Sequence, residues 1–327
     1  MALRTAVIGV GHLGKQHARI HAALAQESQS QLVSVCDIDE ARANEIAGQY
    51  GVAACADWHA LIGDVDAVSL AVPTESHAEI GSALLAAGIH VLVEKPIART
   101  VAEAEQLINS AKKSGAVLQV GHGERFNPAM IALRPHVRSP VYFEIHRVGQ
   151  FTARSLDIDV VLDLMIHDLD IVQWLVGPDV EATSVHAVGI PILTNRVDAA
   201  NARIEFATGA VANITASRVG TERIRKMRFF QPRDYVVLDY ANNYASISNL
   251  APPTNSPWPG VRTQVLEIKD VEPLRAEIES FFVAATNRTP AIVSGEDGRR
   301  ALSLALRTLE QIQEHTLRIS AASFTQK

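Results

Sequence analysis

The sequence predicts a two-domain α/β protein. An N-terminal domain carries a parallel sheet with helices on both faces, and a C-terminal α+β domain carries a large, mostly antiparallel open sheet. Three observations predict this. The 327 residues are too many for one small core and suit two. Residues 1–122 alternate short apolar runs with amphipathic helical patterns, the arrangement that gives right-handed crossovers and a parallel sheet. From about 180 to 269 the periodicity switches to two, the mark of strands buried on one face.

In the first domain the strands are expected at 4–10, 31–37, 66–72, 89–93 and 116–121, with helices near 12–26, 39–50, 75–87 and 101–114. The strands are almost continuously apolar, as in Val65–Val72, which suits a sheet covered on both faces. After Gly121 the pattern changes, so the domains are divided as 1–122 and 123–327. Asn127-Pro128 reads as an N-cap followed by proline at the first helical position, opening a short helix to about 137. A strand is expected at 140–149 and a helix near 159–176. Strands such as 201–206 and 211–217 follow. The four prolines between Ala251 and Gly260 mark a loop, and two helices close the chain near 272–287 and 296–316.

Composition excludes several functions. A net charge of −6 argues against a nucleic-acid partner, which needs a basic face. No apolar run is long enough to span a bilayer and no secretory leader pattern opens the chain, so a cytoplasmic location and no membrane partner are expected. Cys36 and Cys55 have no metal-type spacing and read as inert thiols.

The chemistry begins at Gly9-Val10-Gly11-His12-Leu13-Gly14. A lone G-x-G-x-x-G is a weak signal, but here it follows a strand and opens a helix. In a Rossmann domain Gly9 permits the tight turn, Gly11 lets a pyrophosphate approach the backbone, and Gly14 lets helix and strand pack closely. Asp37 ends the second strand, where a carboxylate meets the adenosine ribose and repels an extra phosphate; NAD is therefore the expected cofactor. The competing reading makes Asp37 the cap of the next helix.

Glu94-Lys95-Pro96 lies at the carboxyl end of a buried strand, the edge where such sheets bind ligands. Lys95 suits a hydrogen bond to a hydroxyl or carbonyl oxygen, or equally a solvent-facing strand end. Of the seventeen residues 160–176, twelve are apolar, so this helix is expected to be mostly buried. Asp159, Asp163, His167 and Asp170 fall within about 80° on a helical wheel, with Asp168 opposite. Acids are costly on a buried helix unless they are paired or line a site. Asp163 and His167, four residues apart, can touch, which would orient the imidazole as a base. A metal is not expected. Arg125 and Asn127, where the chain leaves the first domain, read as cleft-lining substrate contacts or, for Asn127, as a cap. The basic residues Arg218, Arg223, Arg225, Lys226 and Arg228 read chiefly as a solvated strand face, and less as contacts to a substrate diphosphate.

Taken in order, G-x-G-x-x-G, Ala71-Val72-Pro73-Thr74 with His77, Glu94-Lys95-Pro96 and Asp163-x-x-x-His167 resemble the glucose-fructose oxidoreductase/inositol dehydrogenase/rhizopine-catabolism (Gfo/Idh/MocA) family along nearly the whole chain. The resemblance implies that Lys95, Asp163 and His167 form the catalytic group and also meet substrate. It implies that Pro73, Thr74 and His77 border the nicotinamide half of the cofactor, and that His12, Leu13, Glu94 and Lys95 join the cofactor contacts. The segments 120–128, 159–168 and Phe230-Gln231-Pro232 resemble a subgroup of UDP-N-acetylglucosamine 3-dehydrogenases, which supply a 3-keto sugar nucleotide to an aminotransferase in lipid A diamino-sugar synthesis. Asp159-Val160 stands where many members carry two glycines, and Gly123 where the subgroup has a larger apolar residue. The expected function is NAD-dependent oxidation of a secondary sugar hydroxyl, C3 of a UDP-sugar first. Alternatives are a dehydrogenase of an inositol, free sugar or dihydrodiol, and a non-catalytic NAD-sensing regulator. Self-association through the second-domain sheet, as a homodimer or homotetramer, is expected from Phe, Tyr and Ile near 229–247.

Overall fold

The computed structural model describes residues 2–152, 158–251 and 260–324. They form two compact units: residues 1–126 with 272–299, and residues 127–271 with 300–327. The division expected at residue 122 differs in one important way, because residues 272–299 return to the first unit. The reason is apolar: Ile278, Phe281 and Phe282 complete a core with Ile20, Leu24, Leu92 and Val117.

In the first unit β1 (Leu3–Ile8), α1 (Gly14–Gln26), β2 (Ser30–Cys36), α2 (Glu40–Tyr50) and β3 (Ala53–Cys55) are followed by β4 (Ala67–Leu70), α3 (His77–Ala86), β5 (His90–Glu94), α4 (Val101–Ser114) and β6 (Leu118–Gly121). The six strands are parallel in the order β3-β2-β1-β4-β5-β6. The three-residue edge strand β3 was not expected; it is too short for periodicity to reveal. Local signals set the helix ends. Asp39 accepts a hydrogen bond from Arg42 N and Thr100 from Glu103 N, while Gly51 and Gly115 close their helices in the left-handed region. The order reverses beside β1, whose neighbours are β2 and β4, the switch point where open α/β sheets bind ligands. The helix α7 (Pro273–Asn287) belongs to this unit, and α8 (Gly295–Phe324) starts here and continues in the second.

The second unit is an eight-stranded sheet. It contains α5 (Pro128–Leu133), β7 (Tyr142–Val148), α6 (Ile166–Val176), β8 (Ala182–Ile190), β9 (Ala199–Phe206) and β10 (Val211–Ser217). Next come β11 (Ile224–Gln231), β12 (Asp234–Asp239), β13 (Tyr244–Leu250) and β14 (Val261–Val265). The strand order is β14-β13-β12-β11-β7-β10-β9-β8, with one parallel pair, β7 and β10. Alternation along β9 buries Ala200, Ala202, Ile204 and Phe206 in one core with Ile166, Leu169 and Val172 of α6. The proline-rich loop expected at 251–260 lies largely outside the described residues. Phe229 and Ile247 point into the core, while the outer face carries Phe230 and Tyr244 together with Val188, Ile190, Leu250, Val261 and Val265.

Candidate active site

In the first unit the three glycines after β1 have different physical reasons. Gly9 has φ +81°, and a Cβ there would sit 2.7 Å from Ala71 O. A Cβ on Gly14 would fall 1.7 Å from Gly9 O, an impossible approach. Nothing lies within 4 Å of a Cβ on Gly11, so the space in front of it is left for something other than protein. His12 and Leu13 are exposed on the same turn, at the N-terminal end of α1. This cradle fits a pyrophosphate at a helix N-terminus.

Asp37 is 7% exposed. Its carboxylate accepts from Val10 N at 2.9 Å and Asp39 N at 3.0 Å, and Arg42 Nη1 lies 3.3 Å away. The cap of α2 is Asp39, not Asp37. Asp37 thus ties the glycine turn to the end of β2, and its charge stands beside the turn that receives the dinucleotide.

The β4 and β5 ends form the rest of this edge. Pro73 is exposed and Thr74 half-buried, whereas His77 is buried. The His77 ring nitrogens lie 3.0 Å from Pro96 O and 2.9 Å from Val72 O. Burial lowers the His77 pKa against the pull of these carbonyls, so the neutral ring donates to one of them and braces the two turns. The Glu94 carboxylate is bonded within the protein. Its Oε1 lies 2.9 Å from Nε2 of the fully buried His17, and its Oε2 accepts from Lys95 N at 3.2 Å. Burial works to raise the Glu94 pKa, but the hydrogen bond and charge of His17, with the charge of Lys95, outweigh it and hold the carboxyl below its usual range. Lys95, half-buried, follows at the strand end. His77 and Glu94 thus both brace the Lys95 turn, at the edge where their cofactor contacts are expected.

The same unit holds Glu277 on α7, 1% exposed, its pKa raised well above the ordinary carboxyl value by burial and by the charge of Glu94. Arg125 is 4% exposed and its guanidinium lies 3.2 Å from Asp297, a buried ion pair. Asn127, at the start of the second unit, caps α5 by accepting from Ala129 N at 3.0 Å and donates to Tyr240 O at 3.4 Å. Its side chain is spent on the fold.

In the second unit α6 is preceded by a π-turn at Val161–Met165, a feature often found at functional sites. It breaks the uniform wheel expected of this helix. Asp159 accepts from Val197 N at 2.8 Å, so it anchors a loop. Asp170 is buried, while Asp163 and His167 are half-buried. Asp168 is 1% exposed and bidentate to Arg147, which is 3% exposed, at 2.7 and 2.8 Å. Asp163 lines a cavity of about 390 Å³ with Arg147, Gln150, Arg218, Arg223 and Arg225. The basic run expected to be a solvated face therefore divides. Arg218, Arg223 and Arg225 line the cavity that holds Asp163, while Lys226 and Arg228 are exposed. Arg147 was missed from sequence, although it stands at an inward position of an alternating strand.

Parallel sheet, glycine cradle and ribose-edge carboxylate define a Rossmann-type, NAD-binding oxidoreductase. A family model for the NAD-binding Rossmann fold of the Gfo/Idh/MocA oxidoreductases matches residues 3–122, and one for their C-terminal domain matches residues 133–230. The chain is 41% identical to UDP-N-acetylglucosamine 3-dehydrogenase of Acidithiobacillus ferrooxidans over 93% of its own length and 95% of the relative. It belongs to the Gfo/Idh/MocA family. A solved structure of that same Acidithiobacillus dehydrogenase matches with a TM-score of 0.90 at 39% identity, covering 96% of this chain and 98% of that one. Inositol 2-dehydrogenase of Rhizobium meliloti is 27% identical over 96% of this chain and 98% of the relative. The protein is thus an oxidoreductase acting on CH–OH groups, with a sugar dehydrogenase as a close relative.

Proposed function

We propose that this protein oxidises the C3 hydroxyl of UDP-N-acetylglucosamine, or of a close UDP-sugar, with NAD as acceptor. The observation that carries the reading is the pair Asp163 and His167. They are a half-buried acid and imidazole four residues apart where the π-turn enters α6, in a chain similar over 93% of its length to a UDP-N-acetylglucosamine 3-dehydrogenase. NAD, when bound, supplies the hydride acceptor. Gly9, Gly11 and Gly14 shape its pyrophosphate cradle, and Asp37 favours a free ribose hydroxyl over a phosphate. His167 is assigned the hydroxyl proton. Lys95 is assigned a hydrogen bond to the reacting oxygen that stabilises its developing negative charge, and Asp163 the orientation of the imidazole. Loss of the proton and of the C3 hydride leaves a ketone. Lys95 and His167 exchange roles if the ammonium, once deprotonated, is the acceptor.

A 3-keto sugar nucleotide is a substrate for an aminotransferase, which would pull an unfavourable oxidation forward. The test supplies the purified enzyme with NAD, UDP-N-acetylglucosamine, glutamate and a sugar-nucleotide aminotransferase, and looks for the amino sugar by mass spectrometry. Oxidation of inositols or free sugars with no amino sugar formed from any UDP-sugar would refute the reading. Equal efficiency with NADP would refute the role of Asp37. The apolar outer face of the eight-stranded sheet is assigned to self-association as a homodimer or homotetramer; sedimentation showing only monomer at micromolar concentration refutes that part.

A further inference from the structure

We infer that the arginine cavity of the second unit is a diphosphate subsite, which makes the enzyme select sugar nucleotides over free polyols. The inference rests on the proposed sugar-nucleotide reading and extends it to named residues.

The cavity is built, not incidental. Arg147 and Arg225 occupy directly opposed positions on β7 and β11. Like charges directly opposed on one sheet face repel, so the fold carries a cost here that needs an offset. Asp168 offsets Arg147. It fixes that guanidinium with two hydrogen bonds, and the group also lies 5.4 Å from the centre of the Tyr240 ring. Arg218, 6% exposed, is held in the same way from behind: it donates to Ile158 O at 2.6 Å, and its Nε lies 3.7 Å from Asp198. Two guanidinium groups are thus immobilised in the wall, while half-buried Arg225 and exposed Arg223 complete it. Among the described residues the lining sets one carboxylate, that of Asp163, against these four guanidinium groups, two of which are paired from behind by Asp168 and Asp198.

That composition suits one kind of ligand. Planar guanidinium forks match phosphate oxygens, and a diphosphate diester brings two negative charges without protonation. An uncharged inositol or hexose brings hydroxyl acceptors but no negative charge to answer these arginines. Asp163 would repel a phosphate but accept from a sugar hydroxyl, so the cavity has an anion-binding part and a hydroxyl-binding part. Its volume of about 390 Å³ lies within the range of small-molecule sites.

The test uses the full NAD-loaded enzyme and UDP as probe. Calorimetry is expected to show UDP binding that weakens at least tenfold in Arg225→Met and in Arg223→Met and falls as salt is raised. Arg225→Lys should recover part of the loss, because the charge returns without the fork. NAD affinity should be unchanged in all three. Arg223 is exposed, so its variant keeps the test valid if Arg225→Met melts early. No UDP binding to the wild type, or binding that both methionine variants retain, overturns the subsite. Oxidation of UDP-N-acetylglucosamine with an unchanged KM in both variants overturns it while the proposed function stands. Arginine-dependent UDP binding without oxidation of any UDP-sugar supports the subsite and removes the proposed reaction instead.

Discussion

The nucleotide-binding unit and the sheet unit build their chemistry from different materials. In the first, the decisive features are backbone and space: a glycine that no Cβ can replace, another that faces nothing, and strand ends set by parallel pairing. Two of its buried titratable groups are pushed toward the neutral form, while Glu94 is held charged beside His17 and Lys95. His21, between Thr5 and Ser69, is driven to a pKa of about 3 by burial and then by the charge of His17, and Glu277 is driven the other way. In the second unit the decisive features are buried charges paired in the wall of the arginine cavity, Arg147 with Asp168 and Arg218 with Asp198. A site made of backbone tolerates change in most side chains. A site made of opposed charges fails when one partner goes.

The largest expected effect follows from that difference. Asp168→Asn leaves Arg147 buried and uncompensated and should cost about 3–5 kcal/mol, read from urea unfolding. The double replacement Arg147→Met with Asp168→Leu should recover most of it. A single-variant loss under about 1 kcal/mol would remove the contrast between the units. Next, Lys95→Met and His167→Ala should each lower turnover about a hundredfold or more while NAD affinity stays unchanged. Near-normal turnover in either would void that residue's assignment.

The glycines sharpen the contrast from the other side. Gly14→Ala meets Gly9 O and should destabilise the first unit by about 1–3 kcal/mol, whereas Gly11→Ala should leave melting unchanged and weaken NAD binding. If both variants melt alike, the distinction between packing glycine and ligand glycine is wrong.

The smallest effect is a pair of opposite pH slopes. The folded pKa of Glu277 lies above its ordinary value, so its contribution is full at low pH and is lost as pH rises through the folded pKa. Asp198 runs in the opposite direction. Burial would raise its pKa, but hydrogen bonds from Ile192, Thr194 and Leu193 N–H groups hold it at about 2. Its contribution is present above its ordinary 3.8 and is lost as pH falls toward 2. Glu277→Gln should flatten the first dependence and Asp198→Asn the second, each by at most about 1.4 kcal/mol per pH unit. Unchanged slopes in urea titrations across pH would contradict these assignments.

Legibility in the sequence followed the same division. The glycine turn, the parallel strands and the caps are local, so spacing alone located Gly9–Gly14 and the cap at Asn127. The partners of Glu94, His77 and Arg125 were not legible, because each lies far along the chain: His17, Pro96 O and Asp297. The arginine cavity was half-legible. Period-two alternation places Arg147 and Arg225 on the inward side of their strands, but only strand order brings β7 beside β11. The π-turn before α6 was invisible to a wheel drawn at a fixed 100° per residue, and the expected stripe divides into the loop anchor Asp159, the buried Asp170 and the half-buried Asp163 and His167.

The return of residues 272–299 to the first unit bears on how the protein is made. A ribosome that has finished β6 has produced every strand of the nucleotide-binding sheet, but not the helix that carries Ile278, Phe281 and Phe282. About 150 residues must still be translated before that helix begins. At ~5–20 residues per second this is a wait of roughly 7–30 s. During it Ile20, Leu24 and Leu92 lack their apolar cover, and the nascent sheet is a client for any chaperone that binds exposed aliphatic surface.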